Sequence, residues 1–338
     1  MKTINCSAKT GHSSIIVGES IDNCSVYLPD SHIVIITDKS VNNLYGNRFP
    51  KGDLIEIGMG ESIKTLTTIE FIYNQMIHFE TDRSSFVLGI GGGIVCDITG
   101  FAASTYMRGL RFGFVASTLL AQVDASIGGK NGVNVQGYKN MAGVFQQPQF
   151  AICDPMMLKT LTDADYRCGL AEIVKHAVIA DKQLFQFIEN NIKAINKRDP
   201  VVLEKLISDS VAIKSEIVRQ DETETGNRKK LNFGHTFGHA VEKITQLPHG
   251  QAVSIGMVMA SKFACDRGMF DLRDLQRLSA LLEQLNLPVS VNVCNNAIVD
   301  AMKKDKKRKN DVIFVVLPQA IGLVNVIACP IAELFARL

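Results

Sequence analysis

A change of hydrophobic period near residue 160 limits what this chain can fold into. Up to that point, short β-branched runs alternate with helical spacing: HIVIITD at 32–38, LIEIG at 54–58, SSFVLGI at 84–90, FGFVAST at 112–118 and FAICD at 150–154. Strands that alternate with helices build a mostly parallel sheet covered by those helices. ESIKTLTTIEFIYNQMIHFE (61–80), with Ile63, Leu66, Ile69 and Tyr73 three or four residues apart, reads as one such helix. Beyond Asp163 the spacing is that of long helices, as in DADYRCGLAEIVKHAVIAD, DPVVLEKLISDSVAIKSEIVRQDE, LNFGHTFGHAVEKITQ, HGQAVSIGMVMASKFACDRG and DLRDLQRLSALLEQLN. The expectation is an α/β N-terminal domain with a mostly parallel sheet over 1–160 and an all-helical C-terminal domain over 161–338. Two β-like runs, 311–318 and 322–328, close the chain as a hairpin. The 338 residues are enough for two domains.

Composition excludes several classes. With 46% hydrophobic and 21% charged residues, the chain can bury a sizeable core and is neither disordered nor fibrous. Lys and Arg total 36 against 34 Asp and Glu, so a net charge of +2 gives no global field for nucleic acid or an anionic membrane. No apolar run approaches the roughly 20 residues of a membrane span, and the start lacks a signal-peptide core, so the expected location is cytoplasmic. Eight cysteines (6, 24, 96, 153, 168, 265, 294 and 329) contain no C-x-x-C pair, which fits reduced thiols better than a disulfide or thiolate-zinc framework. There is no Trp and only 7% aromatic residues, which disfavours a base-stacking surface.

Three segments carry candidate chemistry. GIGGGIVCDITG (89–100) follows a strand and opens a helix, where backbone N–H groups among glycines can hold a pyrophosphate; it is not G-x-G-x-x-G. Asp38, ending the first strong strand, is either a ribose contact or an ordinary strand-end cap. LNFGHTFGHAVE (231–242) sets His235, His239 and Glu242 on one helical face. His249 follows in a Pro-His-Gly turn, and Glu172, Lys175 and His176 share an earlier helix. One carboxylate with two imidazoles is a catalytic zinc set, but spacing leaves open which of Glu172, His176, His235, His239, Glu242 and His249 form it. VDASIGGKNGVNVQGYKN (123–140) concentrates Asp124, Lys130, Lys139 and Asn140 among glycines in what reads as an anion- or polyol-binding loop. Lys214, Arg228 and the KKDKKRK run at 303–309 add cations.

GGGIVCDITGFAASTYMRG, TLLAQVDASIGGKNGVN, YKNMAGVFQQP, GLAEIVKHAVI, LNFGHTFGHAVE and HGQAVSIGM follow one another in the order of the 3-dehydroquinate synthase family of sugar-phosphate cyclases, which the chain closely resembles from about Asp38 to about Leu317. The resemblance implies an NAD- and metal-dependent lyase with zinc or cobalt, usually a homodimer. Its reaction turns 3-deoxy-D-arabino-heptulosonate 7-phosphate into 3-dehydroquinate and phosphate, in the shikimate pathway, by transient oxidation, phosphate elimination, re-reduction and intramolecular aldol closure. It assigns the metal to Glu172, His235 and His249, and moves His239 to the phosphate or a proton relay. NAD is implied over Gly92, Gly93 and Ile94, with Asp38, Glu61, Lys64, Asp97, Ser117 and Thr118 around it. Phosphate falls to Lys130, Asn232, His239, one of Lys306 and Lys307, and Arg108 of a second subunit. The substrate carboxylate falls to Lys214 and Arg228, and ring hydroxyls to Asp124 and Lys175. Lys139 and Asn140 bridge cofactor and substrate, and Asp124 and Lys130 border both.

The chain departs from the family pattern at Gln251, where Glu is usual, at Ala116–Ser117 for Pro-Thr, and at Asn131 for Thr. None removes an implied catalytic group. The competing readings are a sister cyclase making a deoxy-inosose or valiolone compound, a metal-dependent polyol dehydrogenase that releases NADH, and a scaffold that has lost catalysis. The pair Lys214 and Arg228 favours a substrate with a carboxylate over the sister cyclases.

Overall fold

IVIITD (33–38) and FVLGIG (86–91) are apolar on both faces, so they belong inside a sheet covered above and below. The computed structural model describes residues 1–293, 295–303, 312–330 and 333–334. It divides into two compact units: Met1–Leu161 with Lys214–Thr223, and Thr162–Ile213 with Glu224–Leu338.

The first unit holds the strands β1 (Lys2–Ala8), β2 (Gly11–Val17), β3 (Ile33–Asp38), β4 (Asp53–Ile57), β5 (Phe86–Gly91) and β6 (Arg111–Ala116). A separate hairpin of β7 (Lys130–Val135) and β8 (Tyr138–Phe145) precedes β9 (Phe150–Cys153). The seven strands of the main sheet run β1-β2-β9-β6-β5-β3-β4, every neighbouring pair parallel except β1 with β2. Three helices connect the parallel strands: α1 (Lys39–Tyr45), α2 (Leu66–His78) and α3 (Gly93–Thr105). Through α1 the chain passes from β3 to β4 on one side, and through α3 from β5 to β6 on the other. The order therefore reverses between β3 and β5, where Thr37 stands opposite Ile90, and the ends of these two strands form the crevice where open α/β sheets take ligands. α3 comes close because Gly91 has no side chain; a Cβ there would lie 2.5 Å from Val95 Cγ2.

Two features of this unit differ from the sequence reading. The expected loop over 123–140 is a π-helical turn at Ala121–Ala125 followed by the β7–β8 hairpin. Gln136 and Gly137, with φ of 49° and 77°, make the tight two-residue turn whose twist suits antiparallel strands. Segment 214–223, placed by period in the second domain, packs with the first unit. Glu222, 6% exposed, accepts from Thr10 N at 3.2 Å and Gln147 Nε2 at 2.9 Å, and Lys214 pairs with Asp124.

The second unit is built from α4 (Asp163–Ala180), α5 (Lys182–Asn190), α6 (Ile192–Asn196) and the first part of α7 (Pro200–Gln220). It continues with α8 (His235–Thr245), α9 (His249–Asp266), α10 (Leu272–Gln284) and α11 (Asn295–Lys303). An antiparallel pair, β10 (Val312–Ala320) and β11 (Leu323–Pro330), stands where the closing hairpin was expected, so this unit is mostly rather than entirely helical. Thr162 caps α4 by accepting from Asp165 N at 3.1 Å. From Cys168 to Ile179 every residue of α4 is buried, the charged Glu172 and Lys175 included, and charges so placed need partners. Among the described residues no helix is long and apolar enough to cross a membrane.

Candidate active site

Close packing of α8 on α9 sets the histidines of the second unit. Gly234, with φ of 77°, precedes α8, and a Cβ on Gly256 of α9 would lie 2.0 Å from the Gly234 carbonyl oxygen. A Cβ on Gly250 would lie 2.3 Å from Cys168 Cα, so the start of α9 rests directly on α4. These approaches bring His235 from the first turn of α8, His249 from the first residue of α9 and Glu172 from α4 together, with one donor atom of each within 4.8 Å of the others.

Glu172 Oε1 lies 3.5 Å from His235 Nε2 and 3.5 Å from His249 Nε2. Its other oxygen, Oε2, contacts Lys175 Nζ one turn along the helix. Each imidazole is oriented through its remaining nitrogen: His235 Nδ1 is 3.1 Å from the Phe233 carbonyl oxygen, and His249 Nδ1 is 3.2 Å from Glu242 Oε2. A carbonyl oxygen can only accept, so His235 carries its hydrogen on Nδ1 and turns the Nε2 lone pair toward Glu172. Burial pushes the His235 pKa well below the usual histidine range, so the ring is neutral. Burial also opposes the charge on Glu172, but Lys175 and then His235 and His249 outweigh it and hold this carboxyl well below its usual range. At His249 burial is outweighed by Glu172 and Glu242, which raise its pKa to about 9. A buried carboxylate faced by the Nε2 lone pair of His235, and by the Nε2 of His249 once that ring gives up a proton, is the donor chemistry of a divalent transition ion, so these residues fit one.

Of the other spacing candidates, His176 is buried with Nδ1 2.6 Å from Ser210 Oγ, and His239 stands with its ring centroid 5.3 Å from that of His235. Arg228 is buried in the 3-10 turn Asn227–Asn232, and Asn232 Nδ2 donates to Glu224, a partner that no motif announced. Lys306 and Lys307 lie outside the described residues.

In the first unit, Gly92 is the N-cap of α3 and offers no side chain to its first N–H groups, while Gly93 and Ile94 open the helix. A Cβ on Gly92 would meet Thr118 Cγ2 at 3.0 Å, and one on Gly93 would meet Ala125 Cβ at 2.9 Å, so backbone alone forms this cradle. Beside it Ser117 is 6% exposed, and its hydroxyl has no hydrogen-bond partner among the described residues. A helix N-terminus and an orphaned hydroxyl at the β3/β5 reversal fit a dinucleotide pyrophosphate. Asp38 uses Oδ1 to cap α1 through Val41 N at 3.0 Å, the ordinary role weighed for it.

Lys64, 5% exposed, donates to Asp97 on α3 and to Asn140 Oδ1 at 2.5 Å. Glu61 accepts from Asn134 Nδ2 at 2.7 Å, so both ends of the 61–64 turn engage the β7–β8 hairpin. Asp124 Oδ1 and its carbonyl oxygen each accept from Lys214 Nζ at 2.6 Å. Lys130 and Lys139 are exposed on the hairpin, and Arg108 is exposed in a short turn where Met107 and Arg108 have φ of 47° and 71°. Asn131 donates from Nδ2 to the carbonyls of Gly129 at 3.0 Å and Gln146 at 2.9 Å, which gives this departure from the family pattern a structural use.

Together these features define a two-unit enzyme class: a parallel α/β unit with a dinucleotide-type helix start, and a mostly helical unit in which a buried Glu and two His side chains could hold a metal ion. The family described as 3-dehydroquinate synthase N-terminal matches residues 54–168, and 3-dehydroquinate synthase C-terminal matches 169–308. The chain is 38% identical over 309 residues to the 3-dehydroquinate synthase of Prochlorococcus marinus, covering 87% of this chain and 85% of that one. It is 45% identical over 272 residues to that of Geobacter metallireducens, covering 79% and 76%. Among solved structures it is similar to 2-epi-5-epi-valiolone synthase from Streptomyces hygroscopicus with NAD+ and Zn2+ bound, at TM-score 0.88 and 28% identity over 98% and 97% of the chains. The chain belongs to the 3-dehydroquinate synthase family.

Proposed function

We propose that the chain converts 3-deoxy-D-arabino-heptulosonate 7-phosphate to 3-dehydroquinate and phosphate, with NAD and zinc or cobalt as resident cofactors. The observation that carries this reading is the trio Glu172, His235 and His249, assembled in a chain whose family match spans both units. When bound, NAD takes up and returns a hydride, and the metal ion lowers the pKa of the hydroxyl it holds.

The chain's own residues bind, orient and neutralise. From the first unit, Gly92, Gly93 and Ile94 offer backbone N–H groups to the pyrophosphate, with Ser117, Thr118, Asp97, Lys64, Glu61 and Asp38 around the rest of NAD. Lys130, Lys139 and Asn140 border cofactor and substrate. Lys214 is ordered by Asp124 before substrate arrives, so the group for the carboxylate and the group for a ring hydroxyl are set in advance. From the second unit, Lys175 serves a hydroxyl and Arg228 the carboxylate, while Asn232 and His239 serve the phosphate with Lys306 or Lys307. A fully buried Glu172 gives the trio a fixed negative charge, and a neutral His235 keeps a lone pair available.

Exposure of Arg108 supports its service to a second copy of the chain, and a cytoplasmic homodimer completes the proposal. The higher identity to the two 3-dehydroquinate synthases than to the valiolone synthase favours this substrate over that of a sister cyclase. Metal-loaded protein with catalytic NAD should release phosphate and form 3-dehydroquinate without net NADH, and lose both on chelation. Net NADH would instead indicate a dehydrogenase. Turnover of sedoheptulose 7-phosphate or glucose 6-phosphate alone would indicate a sister cyclase.

A further inference from the structure

Carboxylates flank His249 at both ring nitrogens. Nε2 is 3.5 Å from Glu172 Oε1, and Nδ1 is 3.2 Å from Glu242 Oε2. Glu242 only accepts, so Nδ1 donates its hydrogen there, and Nε2 is aimed at the oxygen that His235 Nε2 also faces. His235 is oriented differently, by the neutral carbonyl of Phe233 at 3.1 Å. One imidazole of the trio thus has an uncharged orienting partner and the other an anionic one. Glu242 lies seven residues after His235 on α8, two turns along the same face, so the helix that brings one donor also brings the partner of the other.

Charge gives this arrangement a purpose. Lys175 contacts Glu172, and both side chains are buried. A divalent ion held by Glu172, His235 and His249 beside that ammonium would add two positive charges to the one that Glu172 already faces. Glu242, with its side chain 18% exposed, supplies a carboxylate on the His249 side. Resting on the metal reading above, we propose that Glu242 is a positioning residue for the ion: through Nδ1 it fixes the ring of His249, and it adds negative charge behind that imidazole. It does not itself coordinate the ion.

The test is a titration of the full-length protein with zinc and with cobalt against a competing chelator, for wild type, Glu242→Gln, Glu242→Ala and His235→Ala. Gln keeps the volume and an acceptor oxygen but not the charge, and Ala removes all three. A carboxylate partner of a liganding imidazole is worth about 10- to 100-fold in metal affinity, so Glu242→Gln should fall at the lower end and Glu242→Ala at the upper. Stoichiometry should stay at one ion per chain, and the cobalt absorption bands of Glu242→Gln should keep their positions because the ligands are unchanged. In the zinc-loaded protein, long-range 1H–15N spectra should place the His249 hydrogen on Nδ1, and that hydrogen should exchange with water faster in Glu242→Ala than in wild type or Glu242→Gln. Unchanged affinity in both Glu242 variants, with the metal lost from His235→Ala, overturns the proposal and leaves the metal site standing. Shifted cobalt bands in Glu242→Gln, or a second ion in wild type that this variant loses, make Glu242 a ligand and also overturn it. Full affinity in His235→Ala means the metal reading itself has failed, and the proposal with it.

Discussion

Lys175 Nζ contacts Glu172 Oε2 from one turn further along α4, and neither side chain reaches solvent. Without a metal ion, the ammonium is the nearest full positive charge on Glu172. Removing one partner of a buried pair strands the other, at about 3–5 kcal/mol. Lys175→Met should therefore unfold at clearly lower denaturant when metal-free, and recover most of the loss when loaded with zinc, because the ion then faces Glu172. Turnover should fall about a hundredfold even when loaded, if Lys175 positions a hydroxyl as proposed. Equal stability losses with and without zinc would contradict the pairing.

The tie of segment 214–223 to the first unit is pH-dependent. Burial raises the Glu222 pKa, but the donors Thr10 and Gln147 outweigh it and hold the carboxyl below its usual range. A depressed pKa stabilises the fold above the unfolded value, near 4.3, and that contribution is lost as pH falls through the folded value. Glu222→Gln should cost about 1.5–3 kcal/mol at pH 7, the range for hydrogen bonds to a charged group. Its stability should also fall less steeply than that of wild type as pH drops from 5 to 3. Parallel urea melts across that range check both expectations; parallel curves would remove Glu222 from the account.

How far the sequence could be read depended on whether a signal was periodic or a matter of space. The runs at 33–38, 86–91 and 150–153 are apolar enough to place β3, β5 and β9, and the i, i+4, i+7 spacing of His235, His239 and Glu242 placed all three on α8. The β7–β8 hairpin was not legible, because its turn rests on positive φ at Gln136 and its strand β8 leaves Tyr138, Met141 and Phe145 exposed rather than forming a clean alternating pattern. Spacing could not separate Glu172, His235 and His249 from His176, His239 and Glu242. The structure brings Glu172, His235 and His249 within reach of one another, and also His239, Glu242 and His249. What it adds is the neighbour of each ring nitrogen: Phe233 O at His235, Glu242 at His249, Ser210 at His176. Glu222 belongs to no motif, and its role comes from partners that the fold brings to it, Thr10 and Gln147 among them.

Helix spacing is the next point of control. Gly256 on α9 faces the Gly234 carbonyl, where a Cβ would lie 2.0 Å away. Gly256→Ala must push α9 off α8, and overpacking of this kind costs about 1–3 kcal/mol. His235 follows Gly234 directly and His249 opens α9, so their separation has to widen. The variant should bind zinc more weakly than wild type even below its melting temperature. Unaltered metal affinity would mean the two proposed ligands are set independently of this contact.

Lys64 ties the β7–β8 hairpin to α3 by donating to both Asn140 and Asp97. Replacing it with Met keeps most of the apolar stem but leaves Asp97 without its ammonium and Asn140 without its donor. The hairpin remains paired internally, so its own ladder should survive, while Lys139 and Asn140 lose one attachment to the unit. Amide exchange in Asn134–Met141 should speed up, with β5 and β6 unaffected. NAD affinity should fall about tenfold, which is 1.4 kcal/mol, close to one charge-assisted hydrogen bond. Faster exchange without weaker NAD binding would separate the two roles, leaving Lys64 as a structural tie and moving the cofactor's contacts to the α3 cradle alone.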